Sequence, residues 1–224
     1  NIKIDNILTK LINAKTNDGK VKIQHLRGVD VSAEANEINC DTVYAYNLNL
    51  KVTENEAFGG VINITNCQSD NLNVDAAKVK LDSCYSNQVY IKSSNEALLK
   101  NLHGNCKFDA AGKVFNTVGF SGTMNGQIKC ERNMLHFAEL SGDSAIEISH
   151  PQAVIRAGFA NEIVKESTNL HIQSNCEIMT KSKEFIVCQK SVNMFEVIRE
   201  NAKSDSTLKM VVKDGKELQL IKQS

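Results

Sequence analysis

Apolar residues recur along this chain at every second position in short runs, the period of strands that bury one face. Four runs open the repeating units: Val21-Lys-Ile23, Ile62-Asn-Ile64, Val79-Lys-Leu81 and Ile146-Glu-Ile148. A second pair follows about ten residues into most units: Val29-Asp-Val31, Leu48-Asn-Leu50, Leu72-Asn-Val74, Val89-Tyr-Ile91, Cys106-Lys-Phe108, Leu135-His-Phe137, Leu170-His-Ile172 and Phe185-Ile-Val187. Ile62 to Val79, Leu72 to Val89 and Val89 to Cys106 are each steps of 17 residues. Between the two pairs stands a turn-former: Gly28, Asn47, Asn71, Asn87, Gly104 or Gly122. Glycine reaches positive φ without steric penalty, and asparagine tolerates it better than most residues. Three of these corners share a fuller form, Leu26-Arg-Gly28, Leu102-His-Gly104 and Phe120-Ser-Gly122, with the large apolar residue predicted to point inward.

A two-strand unit this short is not stable alone. Stacked on copies of itself, each strand gains a parallel partner about 4.8 Å away, and the inward residues merge into one core. The pattern therefore predicts an all-β fold: a single-stranded β-solenoid, or β-helix, of two-strand rungs about 17 residues long. On the order of ten rungs would stack to roughly 50 Å. The solenoid is expected over residues 1–190. Residues 191–224 are expected to form a cap within the same domain, since an open strand edge invites aggregation. Thr207–Val212 and Glu217–Ile221 flank Lys213-Asp-Gly-Lys216, a hairpin signal. Met194–Glu200 is expected to be a short helical turn or an irregular rung. The competing architecture is a β-sandwich, which would need hairpin turns such as Asn125-Gly126 at most corners. A single proline in 224 residues suits a ladder that uses its backbone N–H groups.

Phrases such as Gly28-Val-Asp-Val31-Ser, Val61-Ile-Asn-Ile64 and Leu102-His-Gly104-Asn-Cys-Lys-Phe108 resemble the adhesin-like β-solenoid family, widespread in bacteria. The last stretch, Leu218-Gln-Leu-Ile-Lys-Gln-Ser224, resembles the family's eukaryotic branch. The resemblance runs from about Ile12 to the C-terminus and implies a binding or interaction scaffold. The family carries no established catalytic residues, so none is transferred. This chain has fewer corner glycines and more cysteines than the bacterial pattern.

Charge and chemistry narrow the picture. Lys and Arg number 26 and so do Asp and Glu, which removes the basic footprint of a nucleic-acid binder. No apolar run approaches the roughly 18 residues of a membrane-spanning helix, and no charged-then-apolar leader opens the chain. Seven cysteines (Cys40, Cys67, Cys84, Cys106, Cys130, Cys176, Cys188) are an odd count with no C-x-x-C spacing. Reduced, buried thiols are expected, hence a reducing compartment such as cytoplasm or mitochondrion. Cys67 and Cys84 should be stacked neighbours.

Phosphate-cradle, zinc-protease and nucleophile-elbow motifs are missing. Gly59-Gly60 reads as a corner. The five histidines are scattered through distant units. Glu54, Glu56, Asp70, Asp75 and Asp82 do not recur at one rung position. No catalytic residue, metal site or cofactor is therefore expected. Tyr44, Tyr46, Tyr85 and Tyr90 form the one expected exposed aromatic cluster. The 25 asparagines are read either as stacked ladders or as a coding bias filling tolerant corners.

The function expected is non-catalytic: an adhesin-like scaffold that binds a macromolecule, with protein favoured over nucleic acid. The alternative is a β-helix glycan-processing enzyme, lyase or hydrolase, with at least two carboxylates, or a carboxylate and an arginine, converging in a groove.

Overall fold

The computed structural model of the chain describes residues 1–53, 59–140, 144–148, 155–158, 170–171, 177–180, 185–191, 194–199, 207–213 and 217–223, with side chains for 1–53, 59–131, 135 and 144–146. Every element among these residues is a strand. The first five are β1 (Ile2–Lys15), β2 (Lys20–Ala35), β3 (Glu37–Val52), β4 (Val61–Leu140) and β5 (Ser144–Ile148). They pair in parallel, in chain order. Ile2 lies beside Val21, Lys20 beside Glu37, Glu37 beside Val61 and Asn125 beside Ala145. The offsets are thus 19, 17, 24 and 20 residues, a step of about 17 lengthened by insertions between passes. The offset of 24 arises because Thr53–Gly60 is inserted between β3 and β4.

β4 is 80 residues long, about 260 Å if it ran straight. It instead passes over itself. Ser69 Oγ meets Ser86 Oγ at 3.1 Å, Lys100 Nζ meets Asp82 at 3.0 Å, and Thr123 Oγ1 meets Asn105 at 2.9 Å. Each contact joins residues 17 or 18 apart, so every pass continues the parallel stack.

The inward residues line up from pass to pass. Val21, Ile38 and Ile62 share one register position; Ile23, Cys40 and Ile64 a second; Leu26, Val43 and Cys67 a third; Val31, Leu48 and Leu72 a fourth. All are buried in one continuous core. Full burial of each such side chain contributes roughly 2 kcal/mol, and it is stacking that secures the burial. The expected pairs are inward at Leu48/Leu50, Leu72/Val74, Val89/Ile91 and Cys106/Phe108. Val29 differs: it is 45% exposed, and the inward pair is Val31 with Ala33. Two consecutive outward residues at the bend, Val29 and Asp30, shift the alternation by one, as do Tyr46 and Asn47 in the next pass.

The corner residues also need correction. Gly28 pairs with Ala45 and Ala45 with Ser69, whereas Asn47 and Asn71 sit two residues further on. The backbone bends left-handed earlier, at Asn6, His25, Thr42, Asn66, Ser83 and Asn101, with φ between 48° and 57°. Gly119 continues the series at φ 70°. Each precedes the inward residue of the corner by one position. An L-residue there costs on the order of 1–2 kcal/mol, which the packing of the next residue offsets.

The remaining strands are β6 (Ile155–Gly158), β7 (Leu170–His171), β8 (Glu177–Thr180), β9 (Phe185–Ser191), β10 (Met194–Arg199), β11 (Thr207–Lys213) and β12 (Glu217–Gln223). Met194–Arg199 is a strand, not a helical turn, and it pairs antiparallel with β9 and β6. Only two residues separate β9 from β10, which permits a hairpin and forbids the crossover that parallel neighbours require. The expected tail hairpin is present: β11 runs antiparallel to β12. β11 also pairs antiparallel with β5, so that edge of the parallel sheet is occupied. Glu54, Glu56, His150, Pro151 and Cys176 lie outside the described residues, as do the side chains of His136, Phe137, His171, Phe185 and Cys188.

Candidate functional site

A four-residue stretch recurs at the corner of successive passes: a left-handed residue, an apolar residue, an outward side chain and a small residue. His25-Leu26-Arg27-Gly28, Thr42-Val43-Tyr44-Ala45, Asn66-Cys67-Gln68-Ser69, Ser83-Cys84-Tyr85-Ser86 and Asn101-Leu102-His103-Gly104 all follow it. The apolar member is buried in each. Asn6-Ile7-Leu8-Thr9 follows it too, at the edge of the stack, where Ile7 is 39% exposed.

Stacking turns the last two positions into a ridge and a floor. The ridge is Leu8, Arg27, Tyr44, Gln68, Tyr85 and His103; the floor is Thr9, Gly28, Ala45, Ser69, Ser86 and Gly104. A second ridge rises one residue later from Val29, Tyr46, Asp70 and Asn87. Between the ridges lies an open groove of roughly 740 Å³. Six passes at about 4.8 Å each make it about 24 Å long.

The floor must stay small. A Cβ on Gly104, where φ is 138°, would collide with the carbonyl oxygen of Ser86. At the serine levels the hydroxyls turn to each other and to the backbone: Ser69 bonds Ser86, and Ser86 Oγ donates to the carbonyl of Gln88 at 3.0 Å. The Thr9 hydroxyl likewise donates to the carbonyl of Leu11 at 3.3 Å.

The ridge side chains stack along the groove. The Arg27 guanidinium lies 5.4 Å from the centre of the Tyr44 ring. Tyr85 and His103 are parallel, with centroids 4.3 Å apart and 8° between planes. Such pairs hold the rings upright with one face of each covered. Tyr46, on the opposite ridge, is 57% exposed. The groove carries one carboxylate, Asp70, which accepts a hydrogen bond from Asn87 Nδ2. It carries no lysine and no glutamate.

The structure thus gathers Tyr44, Tyr46 and Tyr85 from the expected tyrosine cluster, while Tyr90 is exposed but outside the groove. Sequence reasoning did not single out Leu8, Arg27, Asp70 and His103 as parts of a site. The one available signal was the shared form of three corners, whose middle residues are Arg27, His103 and Ser121. Asp75 pairs with Lys92 and Asp82 with Lys100, away from the groove. Gly59, with φ at 52°, makes a bend as expected.

Five thiols lie in the core, Cys67 and Cys84 directly behind the ridge. Cys40, Cys67, Cys84 and Cys106 are free and buried, and Cys130 is buried as well. Contact with Cys67, together with burial, pushes the Cys84 thiol well above its ordinary range. Burial raises Cys40 likewise, and pushes Cys106 up to about 12. Cys130 rises to about 11 through burial and then the neighbouring Glu131. Protonated thiols of this kind pack as small hydrophobes and are poor nucleophiles. Among the described residues no group of three or more His, Cys, Asp or Glu side chains is placed to hold a metal ion, and no helix is long and apolar enough to cross a membrane.

Comparison of the chain with protein-family models, with curated proteins and with solved structures gave no match.

Proposed function

We propose that this chain is a β-solenoid that acts as a non-catalytic interaction scaffold of the adhesin-like kind, presenting its tyrosine-lined groove to a macromolecular partner. In this reading the successive parallel passes are rungs, and the β11–β12 hairpin caps the stack beside β5. The observation that carries it is the groove: three half-exposed tyrosines, an arginine and a histidine aligned on two ridges over a floor of small residues. Tyrosine and arginine are the residues enriched at protein-binding hot spots, and lysine and glutamate are depleted there. The groove has that composition, in a chain of 26 basic and 26 acidic residues.

The competing reading, a glycan-processing enzyme, needs a second acid–base group close to Asp70. Asp70 is already tied to Asn87, and Arg27 stands two passes away on the opposite ridge.

The test is site-specific photo-crosslinking in the source cell. A benzophenone side chain at Tyr46 is expected to yield one discrete adduct, and the same group at Lys92, outside the groove, none. Equal labelling from both positions contradicts the binding role of the groove. Cleavage of a linear polysaccharide that is lost on Asp70→Asn would establish the enzyme reading instead.

A further inference from the structure

Taking the groove as the binding face, we infer that its ligand is an uncharged, proline-rich segment of a partner protein in the polyproline II conformation, lying along the stack. Three observations on the page lead there.

The first concerns the backbone. The floor residues belong to strands paired on both sides: Gly28 to Thr9 and Ala45, Ala45 to Gly28 and Ser69. A peptide therefore finds no free strand edge in the groove and cannot add to the sheet. Its own backbone must do without partners in register, which is the property of polyproline II, a helix with no internal hydrogen bonds and a solvated main chain.

The second concerns spacing. Tyr44 and Tyr85 stand on the same ridge two passes apart, with Gln68 between them. Two ladder steps are about 9.6 Å. One turn of polyproline II, three residues at 3.1 Å, is about 9.3 Å. Two proline rings three positions apart thus meet Tyr44 and Tyr85. Gln68 supplies an amide donor for the carbonyl between them.

The third concerns ring faces and charge. One face of Tyr44 lies against Arg27 and one face of Tyr85 against His103, so the ridge offers ring edges, hydroxyls and the two faces turned toward the Gln68 level. Proline rings dock on aromatic side chains held in place in this way, and main-chain carbonyls accept from the hydroxyls. One arginine, one aspartate, and neither lysine nor glutamate complement a segment without net charge.

The chain contains no tryptophan and four tyrosines, three of them in the groove, so intrinsic tyrosine emission reports on the site directly. The experiment titrates the full chain with decaproline, with a (Gly-Ser)5 peptide and with cellohexaose. Decaproline is expected to give a saturable change at sub-millimolar concentration, and the other two none. Tyr85→Ala is expected to weaken decaproline at least tenfold without moving the melting temperature, and Tyr90→Ala to leave affinity unchanged. A response to cellohexaose alone, or equal responses to both peptides, overturns the inference and leaves the groove a binding face. Silence toward all three, with a crosslinked partner still trapped at Tyr46, does the same. Silence together with no groove-specific crosslink removes the binding reading itself.

Discussion

The groove and the asparagine strips further along the same strands are built by the same stacking, yet they end in opposite states. In the strips each side chain spends its polar groups on the level above or below. Asn63 donates to Asn39 at 2.8 Å, Asn71 to Asn47 at 2.8 Å, Asn73 to Asn49 at 2.6 Å, and Asn47 to Asp30 at 2.6 Å. In the groove the stacked pairs are ring on ring and cation on ring, contacts that fix side chains without consuming their edges. In-register stacking of amides saturates a surface. Stacking of aromatics over small residues leaves one that is ordered and unsatisfied, the state the proposed binding role requires.

The comparison breaks hardest if the corner loses its inward anchor. Phe120 is fully buried, and Phe120→Ala is expected to cost about 4 kcal/mol; urea denaturation followed by circular dichroism measures it. Next comes the floor. Gly104→Ala places a methyl group against the Ser86 carbonyl at a strained φ and is expected to cost about 3 kcal/mol. The same measurement on Ser69→Ala, at the same position two passes away, should show less than half that loss. Smaller still is the effect on a strip. Asn47→Ala removes the bonds to both Asp30 and Asn71, an expected loss of about 1 kcal/mol, with decaproline binding unchanged.

A weaker effect follows from pH. Hydrogen bonds from Lys20 and then Asn39 hold the Glu37 carboxyl below its ordinary value of 4.5. Its contribution to stability is full above that ordinary value and is lost as pH falls through the lowered folded one. Glu37→Gln should therefore narrow the gap between melting temperatures at pH 7 and pH 3. The narrowing is small, because the pair faces solvent.

How much of this was legible beforehand varies residue by residue. The inward pairs were, because burial of one strand face writes period two into the chain, and Leu48/Leu50 or Ile62/Ile64 need no register to be recognised. The corners were legible at Gly28, Gly104 and Gly122 because glycine is conspicuous. At Ala45, Ser69 and Ser86 the same position is filled by residues with no special backbone signature. The true left-handed positions are chemically mixed (His25, Thr42, Ser83 among them), so no composition rule finds them. Asn47 and Asn71 have the residue type of a corner, but they form a ladder on the level-to-level bonds described above. The groove was the least legible. Tyr46 is two residues from Tyr44 but on the opposite ridge, and Tyr85 reaches Tyr44's ridge only through the offset of 24 that the Thr53–Gly60 insertion creates.

The claim under all of this is that one left-handed residue per pass turns the corner that carries ridge and floor. Thr42→Gly tests it most directly, since Thr42 is a β-branched residue at φ 54°, where glycine alone sits without strain. Measured by urea denaturation, the variant is expected to be as stable as the parent or more so, by up to about 1 kcal/mol, while Thr65→Gly in the adjoining strand loses about as much. A loss of 1 kcal/mol or more at Thr42→Gly would contradict the account.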